Sequence, residues 1–255
     1  LNRRIVKAGA VTTFGWWAGA TYLRWHRLPS FEGANASGVW GDDSLPPLSI
    51  VVLGDSSCTG PGLDSIDDVW VRRVGRELGA RFHITIDSLA VGGSKAGDVL
   101  AGQVPRAVAS FHDVAIVSVG PNDMLRGISA STFRRQLGEI VDALTPVSRA
   151  VVLSGVGDMA TIPRLPLFVR PLAHARALAA DRAHAEIAAR RSNVFKVPIW
   201  DRAPEFRTDP LLWSPDLFHA SSSGHAVYAD AAMPSIEAAI DVVLTARRSE
   251  NPTTR

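Results

Sequence analysis

Five short runs of β-branched and aliphatic residues lie near 49–54, 82–88, 114–119, 150–155 and 194–199. Between them fall stretches long enough for helices, near 67–79, 98–110, 131–144 and 171–191, and a last helix is expected near 223–247. Strands joined across a helix pair in parallel, because a tight turn can only reverse the chain. The alternation therefore predicts βαβ units and a doubly covered, five-stranded parallel sheet of the α/β class. No internal repeat or low-complexity tract interrupts it. The bases and acids along 171–191 mark a solvated helix face.

A chain of 255 residues fits one large domain plus an appendage. The domain is expected over 49–248, followed by a short polar tail over 249–255. Residues 29–48, rich in Gly, Ser, Pro and Asp, read as a linker. Before it, residues 1–28 carry Arg3, Arg4, Lys7, Arg24 and Arg27 and no acid, flanking the sixteen uncharged residues Ala8–Leu23. Sixteen is short of the roughly 20 residues a spanning helix needs, though aromatic and basic flanks extend it. A membrane anchor is the expectation. A cleaved signal ending near Ala18-Gly19-Ala20 and a soluble surface helix are the alternatives. Basic residues ahead of the apolar run favour a domain outside the cytoplasm, in the cell envelope or secreted.

The body beyond residue 28 holds 22 bases against 25 acids, which argues against a nucleic-acid binder. Cys58 stands alone, so no intramolecular disulfide forms, and a buried thiol is the ordinary reading. Sequence leaves the oligomeric state open.

The run Ile50–Leu53 stops in Gly54-Asp55-Ser56, delivering a serine to the carboxyl rim of the sheet, where chemistry collects in open α/β folds. A serine hydroxyl needs a base to become a nucleophile, usually a histidine oriented by a carboxylate. Of seven histidines, His219 sits in a loop before the last helix, with Asp216 three residues earlier. One tight turn at that spacing brings the carboxylate to Nδ1 and leaves Nε2 for Ser56. A helix-capping acid in a turn is the plainer reading of Asp-x-x-His alone. His225, inside the last helix, is a rival base and is expected to be structural. Donors for a developing oxyanion are offered by Gly92-Gly93 after the second strand and by Asn122 in Gly120-Pro121-Asn122-Asp123 after the third. Each also has an ordinary explanation as turn chemistry.

Taken in order, Gly54-Asp55-Ser56, Gly93, Gly120-x-Asn122-Asp123 and Asp216-x-x-His219 resemble the four blocks of the SGNH (GDSL) hydrolases, from about Ser49 to about Ile240. The resemblance implies a three-layer α/β/α, flavodoxin-like fold. It implies Ser56 as nucleophile, His219 as base and Asp216 as its partner. The backbone N–H groups of Ser56 and Gly93, with Asn122, would hold the oxyanion, and Asp55 and Asp123 would tie loops. Ser88 and Lys95 depart from the family's frequent Asn and Thr. The implied chemistry is ester hydrolysis through an acyl-enzyme, with no metal or cofactor.

Other readings are weaker. Gly92-Gly93-Ser94-Lys95-Ala96 nearly matches a nucleophile elbow, but no acid and distant histidine follow in the order that fold requires. The loop Gly54–Gly62 lacks the lysine of a phosphate-binding loop. A non-catalytic relative that binds acylated glycans or lipids is disfavoured by intact catalytic positions. The apolar segment Ile162–Leu172, with Leu165, Leu167 and Phe168, is placed either to wall an acyl pocket or simply to pack on the domain. It suggests hydrophobic short- to medium-chain esters, lipid esters among them. Glycan deacetylation and acyl transfer are the alternatives.

Overall fold

The computed structural model describes residues 28–250, so the apolar segment before Leu28 and the end of the polar tail lie outside the described residues. Six strands form one sheet: β1 (Gly38–Trp40), β2 (Pro47–Gly54), β3 (His83–Ser88), β4 (His112–Ser118), β5 (Ser148–Leu153) and β6 (Val194–Lys196). Their spatial order is β1-β3-β2-β4-β5-β6. The last five named are parallel, as expected, and β1 pairs antiparallel with β3. The sheet thus has six strands rather than five. The extra one comes from the stretch read as a linker, where Val39 and Trp40 follow Gly38 too briefly to give a strand pattern. That stretch is tied down further by Asn35 Nδ2 donating to the Ser88 carbonyl (3.0 Å) and by the Ala34 N–H donating to the Thr59 carbonyl (2.8 Å).

Helices cover both faces. On one side α1 (Trp70–Leu78) presents Trp70, Val71, Val74 and Leu78 to the sheet. Beside it α8 (Ser222–Glu250) buries Ile236, Ala239, Ile240 and Val243. Both pack on Leu48, Ile50 and Val52. The opposite pleat of β2, Val51 and Leu53, meets α5 (Ala130–Leu144) and α6 (Arg170–Ala189). Alternate residues of one strand thereby serve two separate cores. The spacing Phe133, Leu137, Ile140, Val141, Leu144 is the apolar stripe that seats α5. Burying each such side chain is worth about 1.5–3 kcal/mol. Central β4 is buried along its whole length, whereas β3, nearer the edge, alternates buried with less buried residues.

The helix expected over 98–110 is shorter and irregular: α2 (Ala96–Asp98), a π turn (Val99–Gln103) and α3 (Val104–Ala107). Pro105 donates no N–H to continue a regular ladder through this point. Strand β6 likewise ends before Pro198. Two short helices, α4 (Pro121–Leu125) and α7 (Ala203–Thr208), were not expected.

The first parallel strand lies between the second and third, so the connections on its two sides run to opposite faces of the sheet. That is the switch point where open α/β sheets form a crevice. Register places Gly54 opposite Ser118, and Val52 opposite Ser88, so the loops after β2, β3 and β4 emerge side by side.

Candidate active site

Ser56 begins a single 3-10 turn (Ser56–Cys58) directly beyond β2. Asp55 caps that turn, its Oδ1 accepting the Ser57 N–H (2.9 Å), while Oδ2 accepts from Asn122 Nδ2 (3.2 Å). Burial pushes the Asp55 carboxyl up, against these hydrogen bonds. Asp55 therefore ties the Ser56 turn to the loop carrying Asn122. Gly54 is required by close approach: a Cβ there would stand 2.4 Å from the Ser118 carbonyl oxygen. The Gln103 side chain completes the strand end, accepting from the Gly54 N–H (2.8 Å) and donating to the Gly54 carbonyl (2.9 Å). Nothing in the sequence pattern marks Gln103. It reaches Gly54 because the π turn places it there.

Asn122 lies in the first turn of α4, and the next residue, Asp123, is fully buried and accepts the Ala96 N–H on both oxygens (3.2 and 3.0 Å). Burial raises its carboxyl to about 6. This links the loop after β4 to the loop after β3, where Gly93 adopts φ +79°, a left-handed conformation natural to glycine. Among the described residues no acceptor takes the N–H of Ser56 or of Gly93. The Asn122 amide also keeps one hydrogen after serving Asp55. Three donors are thus available around Ser56 and the loops beside it.

The last block is built as a tight turn pinned at both ends. Trp213 and Ala220 form an isolated antiparallel bridge, and the Ser214 N–H donates to the His219 carbonyl (2.8 Å). Inside, Asp216 Oδ1 accepts the N–H groups of Phe218 (2.9 Å) and His219 (3.0 Å). Its Oδ2 lies 2.6 Å from His219 Nδ1. Burial alone would raise the Asp216 carboxyl, but the imidazole and the two backbone donors outweigh it and hold the group below its ordinary value. An ionised carboxylate only accepts, so Nδ1 carries a proton, and in the neutral imidazole Nε2 is the acceptor. Leu217, between them, takes φ +58°, at a cost of about 1–2 kcal/mol for a side-chain-bearing residue. The Arg164 N–H donating to its carbonyl (2.9 Å) helps hold it.

Ser56, Asn122, Phe218 and His219 line two cavities together. One, of about 120 Å3, is walled by Met159, Ile162, Phe206, Trp213 and Tyr228 among others. The other is a broad groove of about 720 Å3 bounded by Phe31, Glu32, Gly92, Gly93 and Arg126. No hydrogen bond among the described residues joins Ser56 to His219. The rival residues are otherwise engaged, although His225 also lines the small cavity. His225 is buried, accepts the Trp70 N–H on Nδ1 (3.4 Å), and is pushed down to about 3 by burial and by the charges of Arg73 and His219. The Ser94 hydroxyl donates to the Val91 carbonyl (2.8 Å) and borders neither cavity. Cys58 is buried, and burial holds its thiol up at about 12.

The expected acyl-pocket residues need correction. Leu165 is buried in the core, Leu167 and Phe168 are 75% and 56% exposed, and none of the three lines either cavity. The loop after β5 does wall the small cavity, but through its earlier half, from Val156 to Ile162. Asp158 caps a turn there and pairs with Arg207 (3.0 Å) and His174 (3.1 Å). Arg170 then gathers the carbonyls of Leu165 (3.1 Å), Ile162 and Pro163 (both 3.4 Å), curling the later half onto itself. Phe206, Trp213 and Tyr228 were missed because they come from three separate elements after β6.

A parallel α/β sheet with these loops gathered at its switch point brings a serine, a histidine–carboxylate pair and three hydrogen-bond donors to one rim. The family model of the GDSL-like lipase/acylhydrolases matches residues 52–227, and the chain belongs to that family. It is a carboxylic ester hydrolase. The GDSL-like esterase Rv1075c of Mycobacterium tuberculosis is 29% identical over 234 residues, covering 88% of this chain and 67% of that protein. Among solved structures, TesA is similar with a TM-score of 0.63 at 19% identity, covering 75% of this chain and 99% of its own. The esterase EstA from Pseudoalteromonas sp., inhibited by monoethylphosphonate, is similar with a TM-score of 0.59 at 17% identity (76% and 98% covered). A mutant of Axe2, an acetyl-xylooligosaccharide esterase from Geobacillus, has a TM-score of 0.60 at 18% identity (75% and 95% covered). At these identities the structural likeness speaks to the fold.

Proposed function

We propose that this hydrolase works through an acyl-enzyme on Ser56. His219 Nε2 takes the Ser56 proton as Oγ attacks the ester carbonyl carbon. The N–H groups of Ser56 and Gly93 and the free Asn122 amide hydrogen then stabilise the tetrahedral oxyanion, and Asp216 stabilises the imidazolium. His219 returns its proton to the departing alcohol, and water repeats the cycle on the acyl-enzyme. The observation that carries this reading is the 2.6 Å contact from His219 Nδ1 to Asp216, on a histidine that shares both cavities with Ser56. Hydrolysis of p-nitrophenyl butyrate by the wild type and by Ser56→Ala tests it, with labelling of Ser56 by a fluorophosphonate. Turnover by folded Ser56→Ala would sink it.

The small cavity, mostly apolar, suits the acyl group, and the broad groove suits the alcohol half. Hydrophobic esters of short to medium acyl chain are the substrates this division favours. A second reading, deacetylation of a cell-envelope glycan, is favoured by the width of the groove and by Glu32 and Arg126 at its rim. Transfer of the acyl group to an acceptor other than water uses the same intermediate. A cell-envelope or secreted location rests on the basic, apolar composition of residues 1–28. No helix among the described residues is long and apolar enough to cross a membrane.

A further inference from the structure

Behind the small cavity lies another chamber of about 70 Å3, lined by Trp70, Ser118, Ser154, Val197 and Ala232. The two share Ser57, Pro121, Gly157, Ile199 and Tyr228, which stand at their common boundary. We propose that the chambers are one acyl-chain channel starting at Ser56, and that Ile199 and Tyr228 at the neck set the longest chain accepted. The inference rests on the first cavity being the acyl site.

Size makes the neck decisive. An apolar cavity of about 150 Å3 takes a benzene molecule, so the first chamber of about 120 Å3 accommodates about four or five carbons. A longer straight chain must pass Ile199 and Tyr228 to stay out of water. The far chamber is fit to receive hydrocarbon. Its walls include Trp70, Val197, Ile199 and Ala232, and its serine hydroxyls are hydrogen-bonded in a chain. Ser57 Oγ lies 2.6 Å from Ser118 Oγ, and Ser154 Oγ donates to Ser118 Oγ at 2.8 Å. With Ser57 Oγ also 3.9 Å from Cys58 Sγ, each hydroxyl hydrogen has an acceptor, so an entering methylene chain strips no unpaired donor of water, which would otherwise cost about 1–3 kcal/mol. Tyr228 is different. Burial keeps its phenol neutral, and its hydroxyl has no hydrogen-bond partner among the described residues. A chain threading the neck has to desolvate it. Gly157 offers the opposite control, since a Cβ added there meets nothing within 4 Å.

The experiment is a kcat/KM series on p-nitrophenyl acetate, butyrate, hexanoate, octanoate and decanoate. It compares the wild type with Ile199→Ala, Tyr228→Phe and Gly157→Val. In the wild type, efficiency is expected to fall beyond hexanoate. Ile199→Ala and Tyr228→Phe should each raise the octanoate-to-butyrate ratio, the former about tenfold, which is roughly the worth of one methylene in a hydrophobic pocket. Gly157→Val should lower the hexanoate-to-acetate ratio by a similar factor. Tyr228→Phe keeps the ring and its packing, so it reports even if Ile199→Ala folds poorly. Ratios within twofold of the wild type in all folded variants, with butyrate still hydrolysed, would overturn the channel alone. Absence of hydrolysis of every ester by the wild type would overturn the acyl-site reading and the channel with it.

Discussion

Replacing Asp216 by asparagine changes one atom of the acid and tests how His219 is oriented. Asp216 Oδ1 accepts two backbone donors, the N–H groups of Phe218 and His219, and Oδ2 accepts the imidazole. An asparagine must keep its oxygen toward the two backbone N–H groups, because an NH2 there would oppose both. Its NH2 then points at His219 Nδ1, which becomes an acceptor. The imidazole proton moves to Nε2, the nitrogen that takes the Ser56 proton in the proposed mechanism. The base is thus present in the wrong tautomer rather than missing. Trapping a catalytic histidine this way costs about 10³–10⁴-fold in kcat, or about 4–5.5 kcal/mol of barrier. Stability should suffer less, since both backbone hydrogen bonds survive and the third is re-formed between neutral partners, and a net hydrogen bond to a charged group is worth about 1.5–3 kcal/mol. Turnover of p-nitrophenyl butyrate beside circular dichroism and thermal melting separates the two effects. A folded Asp216→Asn variant within tenfold of wild-type kcat would refute this account of the histidine.

Asn122→Ala should lower kcat about 10²–10³-fold with KM nearly unchanged, because in the proposed mechanism the amide acts mainly on the oxyanion; retention of full kcat would remove it from that role. Asp123, raised to about 6 by burial, binds more protons folded than unfolded between about pH 4 and 6, so its contribution to stability falls as pH rises through that window, by up to about 3 kcal/mol. Asp123→Asn stays neutral and still accepts the Ala96 N–H, so urea melts should show it gaining on the wild type from pH 4 to 7; a pH-independent difference would contradict the assignment. Gly54→Ala drives a Cβ toward the Ser118 carbonyl at 2.4 Å and should lower both melting temperature and kcat, the latter because Ser56 is displaced; an unchanged melting temperature would show that β2 and β4 separate there without cost.

Sequence alone determined what depends on neighbours along the chain. The β-branched run ending in Gly54-Asp55-Ser56 puts a serine at a strand end because strand and turn are both set by a few adjacent residues. The three-residue spacing of Asp216 and His219 closes a carboxylate onto Nδ1 for the same reason. The parallel five-stranded part of the sheet was legible from the period of its strands and helices. Tertiary structure alone decided which distant parts share a surface. It added β1 from a stretch that reads as a linker, swung Gln103 through a π turn onto Gly54, and walled the small cavity with Met159, Ile162, Phe206, Trp213 and Tyr228. The apolar run containing Leu165, Leu167 and Phe168 looked the better wall, yet Arg170 curls it away. Hydrogen-bonded turns are directional and short-ranged, so a few residues specify them, whereas apolar packing is non-directional and takes its partners from whatever the whole fold brings near.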